Sequence, residues 1–349
     1  MTFIGGCPKF IVYFITIMQH FNIDRADWDK TLEQIVVSYD VFASVKNESG
    51  QDYEYLNTRI IRDIAYNTAK PSTPLKHFFL PVRENVSDFP ETGRERVILG
   101  VPNCDMEGLH LLDEIYLDKD FPDPFYRVKR EHTLFISFDC LEVQEHCHCI
   151  SYGVKPWASE NGDLSVALLD NEILLTVISA KGAKFWAKFQ PPHKNHPHGK
   201  GLLKVLDKKR EDTIQMIKTR HSGLPDYRET GKLVQNAGEA IWKKYASRCV
   251  SCGACSTICP TCSCFLLTDK PGFEKVRQLD ACQYPGFERV AGGEDALRRL
   301  HNRFKNRYMC KYVWKPEKFS SVACTGCGRC IEACIGKISK NELFMELTG

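Results

Sequence analysis

The sequence predicts an α/β (α+β) N-terminal domain with a parallel βαβ unit, followed by a mostly helical, two-cluster ferredoxin-like domain. Two observations carry this. An apolar run at 97–101, a helix-spaced segment at 105–117 and a second apolar run at 133–138 describe two buried strands joined by a right-handed crossover. Farther on, Cys249, Cys252, Cys255 and Cys259, then Cys324, Cys327, Cys330 and Cys334, each read C-x2-C-x2-C-x3-C. In that spacing a tight loop turns three thiolates onto one cubane while the fourth reaches the other cluster.

Composition agrees. A chain of 349 residues, 43% hydrophobic and 26% charged, has room for two domains with real cores. Its net charge of +3 gives no electrostatic footprint for nucleic acid. The 17 cysteines fall mostly in metal-like groups, which favours a reducing, cytoplasmic setting over a disulfide framework.

From the N-terminus, the apolar stretch Phe10 to Ile17 is far shorter than the roughly 18 to 20 residues that cross a bilayer, so no membrane insertion is expected. Met18 precedes the first helix signal, and residues 1–17 read as a start-codon extension. Residues 27–37 have helical periodicity, with Asp24 or Asp27 available as cap. Val41 to Val45 reads as a strand and Pro71 to Pro81 as a proline-punctuated connection. The 97–101 strand ends at Pro102 and Asn103, and Cys104 follows. Cys104 and Cys140 then both lie beyond the carboxyl ends of parallel strands, where open sheets place ligands. Leu164 to Leu169 and Ile173 to Ile178 read as a hairpin, Gln190 to Gly201 as a loop, and 212–220 and 233–245 as helices. The domains expected are 1–189, a linker and helix at 190–227, and 228–349.

Crossed ligation assigns one [4Fe-4S] cluster to Cys249, Cys252, Cys255 and Cys334, and the other to Cys324, Cys327, Cys330 and Cys259. Structural zinc is the rival, but zinc sites pair C-x2-C ligands across a long gap rather than adding a third cysteine at the same step. The separation of about 65 residues between the runs points to the larger, helical kind of ferredoxin domain. Ile335 stands where a proline usually follows the second run.

Cys104, Cys140, Cys147 and Cys149 make a complete set for a third [4Fe-4S] cluster, with helix N–H groups after Cys104 aimed at the anion. Unligated, partly buried thiols are the bland alternative; His146 and His148 could substitute as ligands but read first as solvated loop residues. Cys262, Cys264, Cys282 and Cys310 are candidate ligands of a fourth metal site, against thiols that merely line the cluster environment or a site completed by a partner. His193, His196 and His198 read as exposed. No G-x-G-x-x-G follows a strand and there is no G-x-S-x-G. The carboxylate pairs Asp113 with Glu114 and Glu294 with Asp295 read as solvated, so no catalytic residue is assigned.

The run Cys249-Val-Ser-Cys252-Gly-Ala-Cys255-Ser-Thr-Ile-Cys259-Pro-Thr-Cys262-Ser-Cys264-Phe closely resembles the 4Fe-4S dicluster family that includes an iron-sulfur subunit of anaerobic sulfite reductase and the beta subunit of sulfhydrogenase-type NiFe hydrogenases. The resemblance extends over most of the chain, through Asn103-Cys104-Asp105 with Leu112-Asp113, Cys140, Cys147-His-Cys149-Ile-Ser-Tyr-Gly153, Ala281-Cys282 and Ala291-Gly292-Gly293. Cys310 stands where the family would lead one to expect histidine. The resemblance implies an electron-transfer subunit of an oxidoreductase complex, without its own substrate site. It would relay electrons between a flavin/NAD(P)H- or ferredoxin-linked subunit and a hydrogenase, sulfite reductase or heterodisulfide-reductase-type partner. The alternative is an iron-sulfur enzyme that reduces a sulfur compound directly at an open or non-standard cluster.

Overall fold

A computed structural model describes residues 19–189 and 200–349, apart from 49, 89, 91 and 320. The expectations for residues 1–17, His193, His196 and His198 fall outside the described residues. The first part of the chain runs β1 (Gln19–Asp24), α1 (Arg25–Ser38), β2 (Asp40–Asn47), β3 (Gly50–Tyr55), β4 (Arg83–Asn85), β5 (Arg96–Val101), α2 (Asn103–Tyr116), α3 (Pro124–Glu131), β6 (Thr133–Phe138), β7 (Leu164–Leu169), β8 (Glu172–Val177) and α4 (Ala180–Phe189). A seven-stranded sheet in the order β1-β8-β7-β6-β5-β2-β3 forms its middle layer. Strands β2, β5, β6 and β7 are parallel, with Val97 opposite Leu134 and Ile98 opposite Phe135. All six residues of β6 are buried, as the unbroken apolar run required.

The apolar residues of α1 pack with one face of the sheet: Trp28, Leu32 and Ile35 join Val97, Leu99, Leu134 and Ile136 in one core. Met106, Leu109 and Leu112 of α2 cover the other face with Ile98, Val101 and Phe135. The crossover thus sets the first turn of α2 at the carboxyl edge of the sheet. The crossover also contains α3, a helix that periodicity does not single out; its start is capped by Asp123, whose carboxylate accepts from Tyr126 N, with Pro124 as first residue.

The remainder comprises α5 (Lys200–Arg220), α6 (Thr230–Asn236), α7 (Glu239–Ala246), α8 (Ala254–Thr257), β9 (Phe265–Lys270), β10 (Glu274–Leu279), α9 (Leu300–Met309), α10 (Lys315–Phe319), α11 (Arg329–Glu332) and α12 (Lys340–Thr348). Two expectations are corrected here. The 212–220 helix starts at Lys200, inside the expected loop, because Leu202, Leu203 and Leu206 pack on Ala167, Leu169 and Leu174 of the β7–β8 hairpin. The 233–245 helix is broken at Ala237 and Gly238, where α7 restarts on an extended glycine. The C-terminal part, though mainly helical, contains the β9–β10 hairpin, turned at Pro271 and Gly272.

That hairpin pairs with β4 in a three-stranded sheet of order β4-β10-β9, so the two parts of the chain share a sheet. Arg277 of β10 is buried and ion-paired with Glu84 and Asp123, and Lys129 joins Glu84. Asp113, expected to be solvated, is half-buried and accepts from the Tyr126 hydroxyl at 2.7 Å and from Arg130 at 3.0 Å, a structural role.

Candidate metal centres

Each cysteine run wraps a short helix. Cys255 lies in α8 and Cys330 in α11, and Gly253 and Gly328, one residue before each helix, take the left-handed conformation at φ 73° and 80°. In the first run the three leading thiols face one cavity, whereas in the second Cys324, Cys327 and Cys330 each border a different one. Cys249, Cys252, Cys255 and Cys334 line a single cavity with Arg307 and Tyr308. Cys259 is on the other side, near Cys327, and its sulfur is 3.1 Å from the ammonium of Lys311. The same ammonium acts on Cys324. The cavity lined by the first three thiols of the first run thus also takes in Cys330 and Cys334 of the second, while Cys259 of the first run lies toward Cys327 of the second.

Cys104, Cys140, Cys147 and Cys149 also line one cavity, and Cys327 contributes to its wall. Cys104 is the second residue of α2 rather than a residue of the preceding loop. Cys140 N bonds Pro156 O at 2.7 Å, while His148 N bonds Gly326 O at 2.8 Å, which fixes the Cys147–Cys149 loop on the second run. A side chain at Gly326 or Gly328 would collide with the carbonyls of His148 or His146. Gly328→Ala should therefore destabilise the protein by at least the ~1 kcal/mol that left-handed backbone costs alanine, and should lower the iron bound by the adjoining thiols; thermal unfolding of the metal-loaded chain measures the first effect and elemental analysis the second.

Buried cations surround these thiols. Arg329 of α11 is fully buried and pairs with Asp105 of α2 at 2.5 and 2.9 Å, while also donating to Pro71 O at 3.0 and 2.9 Å. Lys70 is 3.7 Å from the Cys147 sulfur and 2.8 Å from Glu332. Lys76 donates to Ser256 O and Cys262 O at 3.1 and 3.0 Å. Burial works against the charge of Lys311, yet the thiols of Cys259 and Cys262 hold its pKa above the ordinary lysine range. Burial pushes the Cys104 and Cys140 thiols well up and Cys149 to about 12. Unligated, these three would be neutral; a bound cation is what deprotonates such thiols. The donor set and its positive surroundings fit iron-sulfur clusters. Among the described residues no three Cys, His, Asp or Glu side chains converge tightly enough to hold a single metal ion.

The remaining thiols separate. Cys264 and Cys282 are in hydrogen-bonding contact, which holds Cys282 down at about 6 and pushes Cys264 up. Cys262 is in contact with Cys259 instead. Cys310 is half-buried in a π-helical turn, Cys310–Trp314, where its neighbour Lys311 is the residue that reaches Cys259.

Residues 248–338 match the 4Fe-4S dicluster domain. The chain is 29% identical to sulfhydrogenase 2 subunit beta of Pyrococcus furiosus over 320 residues, covering 88% of this chain and 92% of that protein. No solved structure matches. Among the described residues, no helix is long and apolar enough to cross a membrane.

The dicluster domain's cationic lining was missed in the sequence. A lysine among Tyr308, Met309 and Tyr312 signals nothing locally, because only the chain-distant Cys259, Thr261 and Ala323 show that Lys311 is buried. His148 is a second miss: it is fully buried rather than solvated, its Nδ1 is 2.7 Å from His146 O, and burial lowers its pKa well below the ordinary imidazole value. Lys311→Met should lower the potential of the cluster that Cys259 serves. Removing a nearby positive charge disfavours the added electron, by on the order of 100 mV at an effective dielectric near 20; an EPR-monitored redox titration reads the shift.

Proposed function

We propose that this iron-sulfur protein is the electron-relay subunit of a multi-subunit oxidoreductase, passing single electrons between a flavin/NAD(P)H- or ferredoxin-linked subunit and a catalytic partner of hydrogenase, sulfite reductase or heterodisulfide-reductase type. The crossed ligand sets are Cys249, Cys252, Cys255 and Cys334, and Cys324, Cys327, Cys330 and Cys259; Cys104, Cys140, Cys147 and Cys149 hold a third [4Fe-4S] cluster. In this reading 1–189 and 228–349 are the two cluster-bearing domains, joined through 190–227 in a cytoplasmic protein. One observation carries it: Cys327 lines the cavity of the third thiol set while belonging to the second, and Cys330 lines that of the first. The second group thus adjoins both of the others, a series along which a charge can hop. Cys252 is exposed, which gives the first group access to the surface for exchange with another protein.

The similarity to a hydrogenase beta subunit supports a place in a complex. The purified chain should take up electrons from reduced viologen and return them to an oxidised dye, without turning over sulfur compounds. Activity should appear only when partner subunits are added back. Sustained reduction of polysulfide or sulfite by the lone chain would overturn the relay in favour of a self-contained enzyme.

A further inference from the structure

We propose that Cys264 and Cys282 are a redox-active dithiol beside the dicluster domain, closing to a disulfide when the chain is oxidised and reopening when it is reduced. The hairpin brings them together. Phe265 and Leu279 are paired at the end of the β9–β10 ladder, and Asp280 N bonds Cys264 O at 3.0 Å, so the segments leaving the two strands face one another. The two thiols are hydrogen-bonding neighbours, the proximity that a disulfide requires.

Their neighbours connect them to the electron path. The Cys282 sulfur is 3.6 Å from Ser256 Oγ and 3.7 Å from Gln283 Nε2. Ser256 follows Cys255, and Gln283 lines the same cavity as Cys255. Cys282 is buried on that side, whereas Cys264 is partly exposed to water. Cys262, turned to Cys259, does not compete, and two thiols without a third converging ligand do not make a single-ion site.

The step is balanced. On reduction the Cys264–Cys282 S–S bond breaks and two S–H bonds form, consuming two electrons and two protons. The electrons come one at a time from a one-electron donor through the dicluster domain, and the protons from water at Cys264. Oxidation reverses this, returning two electrons to a one-electron acceptor. The pair would thus let two electrons rest at one point on a one-electron wire. The proposal rests on the relay reading for its electron supply.

The test uses the full metal-loaded chain, held anaerobically with oxidised or reduced one-electron dye, then alkylated with iodoacetamide and mapped by mass spectrometry, with iron measured on the same samples. The expected result is a 264–282 cross-linked peptide, lighter by two hydrogens, in the oxidised sample, and two alkylated thiols in the reduced one. Cys264→Ser and Cys282→Ser should abolish the link and keep the iron of the parent chain. Alkylation of both thiols in both samples would overturn the proposal. So would loss of about four irons in either variant, since the pair would then be cluster ligands. A missing link with iron intact leaves the relay standing; a chain without iron sinks the relay itself.

Discussion

Cys259→Ala is expected to remove the cluster served by Cys324, Cys327 and Cys330, a loss of about four irons, while leaving the cluster on Cys249, Cys252 and Cys255 in place. The Cys259 sulfur is beside Lys311 and acts on Cys327, outside the cavity that its own run lines with Cys334. The variant also leaves the Lys311 ammonium buried without its nearest anion, which costs about 3–5 kcal/mol when a buried charge loses its partner. EPR of the reduced variant, alongside iron analysis, separates the outcomes. Loss of the nearer cluster alone would mean that each run binds its own cubane.

Arg329→Met should be nearly as damaging. Its guanidinium is fully buried, meets the Asp105 carboxylate with two hydrogen bonds and takes the Pro71 carbonyl with two more. Removing it strands a carboxylate that is 1% exposed, at a cost of about 3–5 kcal/mol. Asp105 adjoins Cys104 and Arg329 adjoins Cys330, so the pair clamps the third thiol set to the second run. Urea unfolding should show the loss, and the double variant Arg329→Met with Asp105→Leu should recover much of it. A single variant as stable as the parent would show that the clamp contributes nothing.

The parts of the molecule that were legible in the sequence are those with a short period or a fixed spacing. Val97 to Val101 and Thr133 to Phe138 declared buried parallel strands, and from them followed the meeting of Cys104 and Cys140 at one sheet edge. The two C-x2-C-x2-C-x3-C runs declared a two-cluster domain. What stayed hidden depends on contacts between distant segments. Lys70, Lys311 and Arg329 look like surface residues until Glu332, Cys259 and Asp105 are seen around them. The β9–β10 hairpin carried a Pro-Gly turn signal, yet its strands are mostly exposed and lack the apolar alternation of a core strand. In the sequence Cys264 and Cys282 are, with Cys262 and Cys310, only candidate ligands of a fourth metal site, beside the reading that they line the cluster environment. The contact between them depends on the register of that hairpin, which spacing does not encode.

Iron and acid-labile sulfide per chain, measured on anaerobically prepared protein, test the central claim most directly. Three cubanes on the thiol sets described above predict about twelve of each. About eight would leave Cys104, Cys140, Cys147 and Cys149 as unligated thiols and break the wire at Cys327, and colourless, zinc-rich protein would contradict an electron-carrying role altogether.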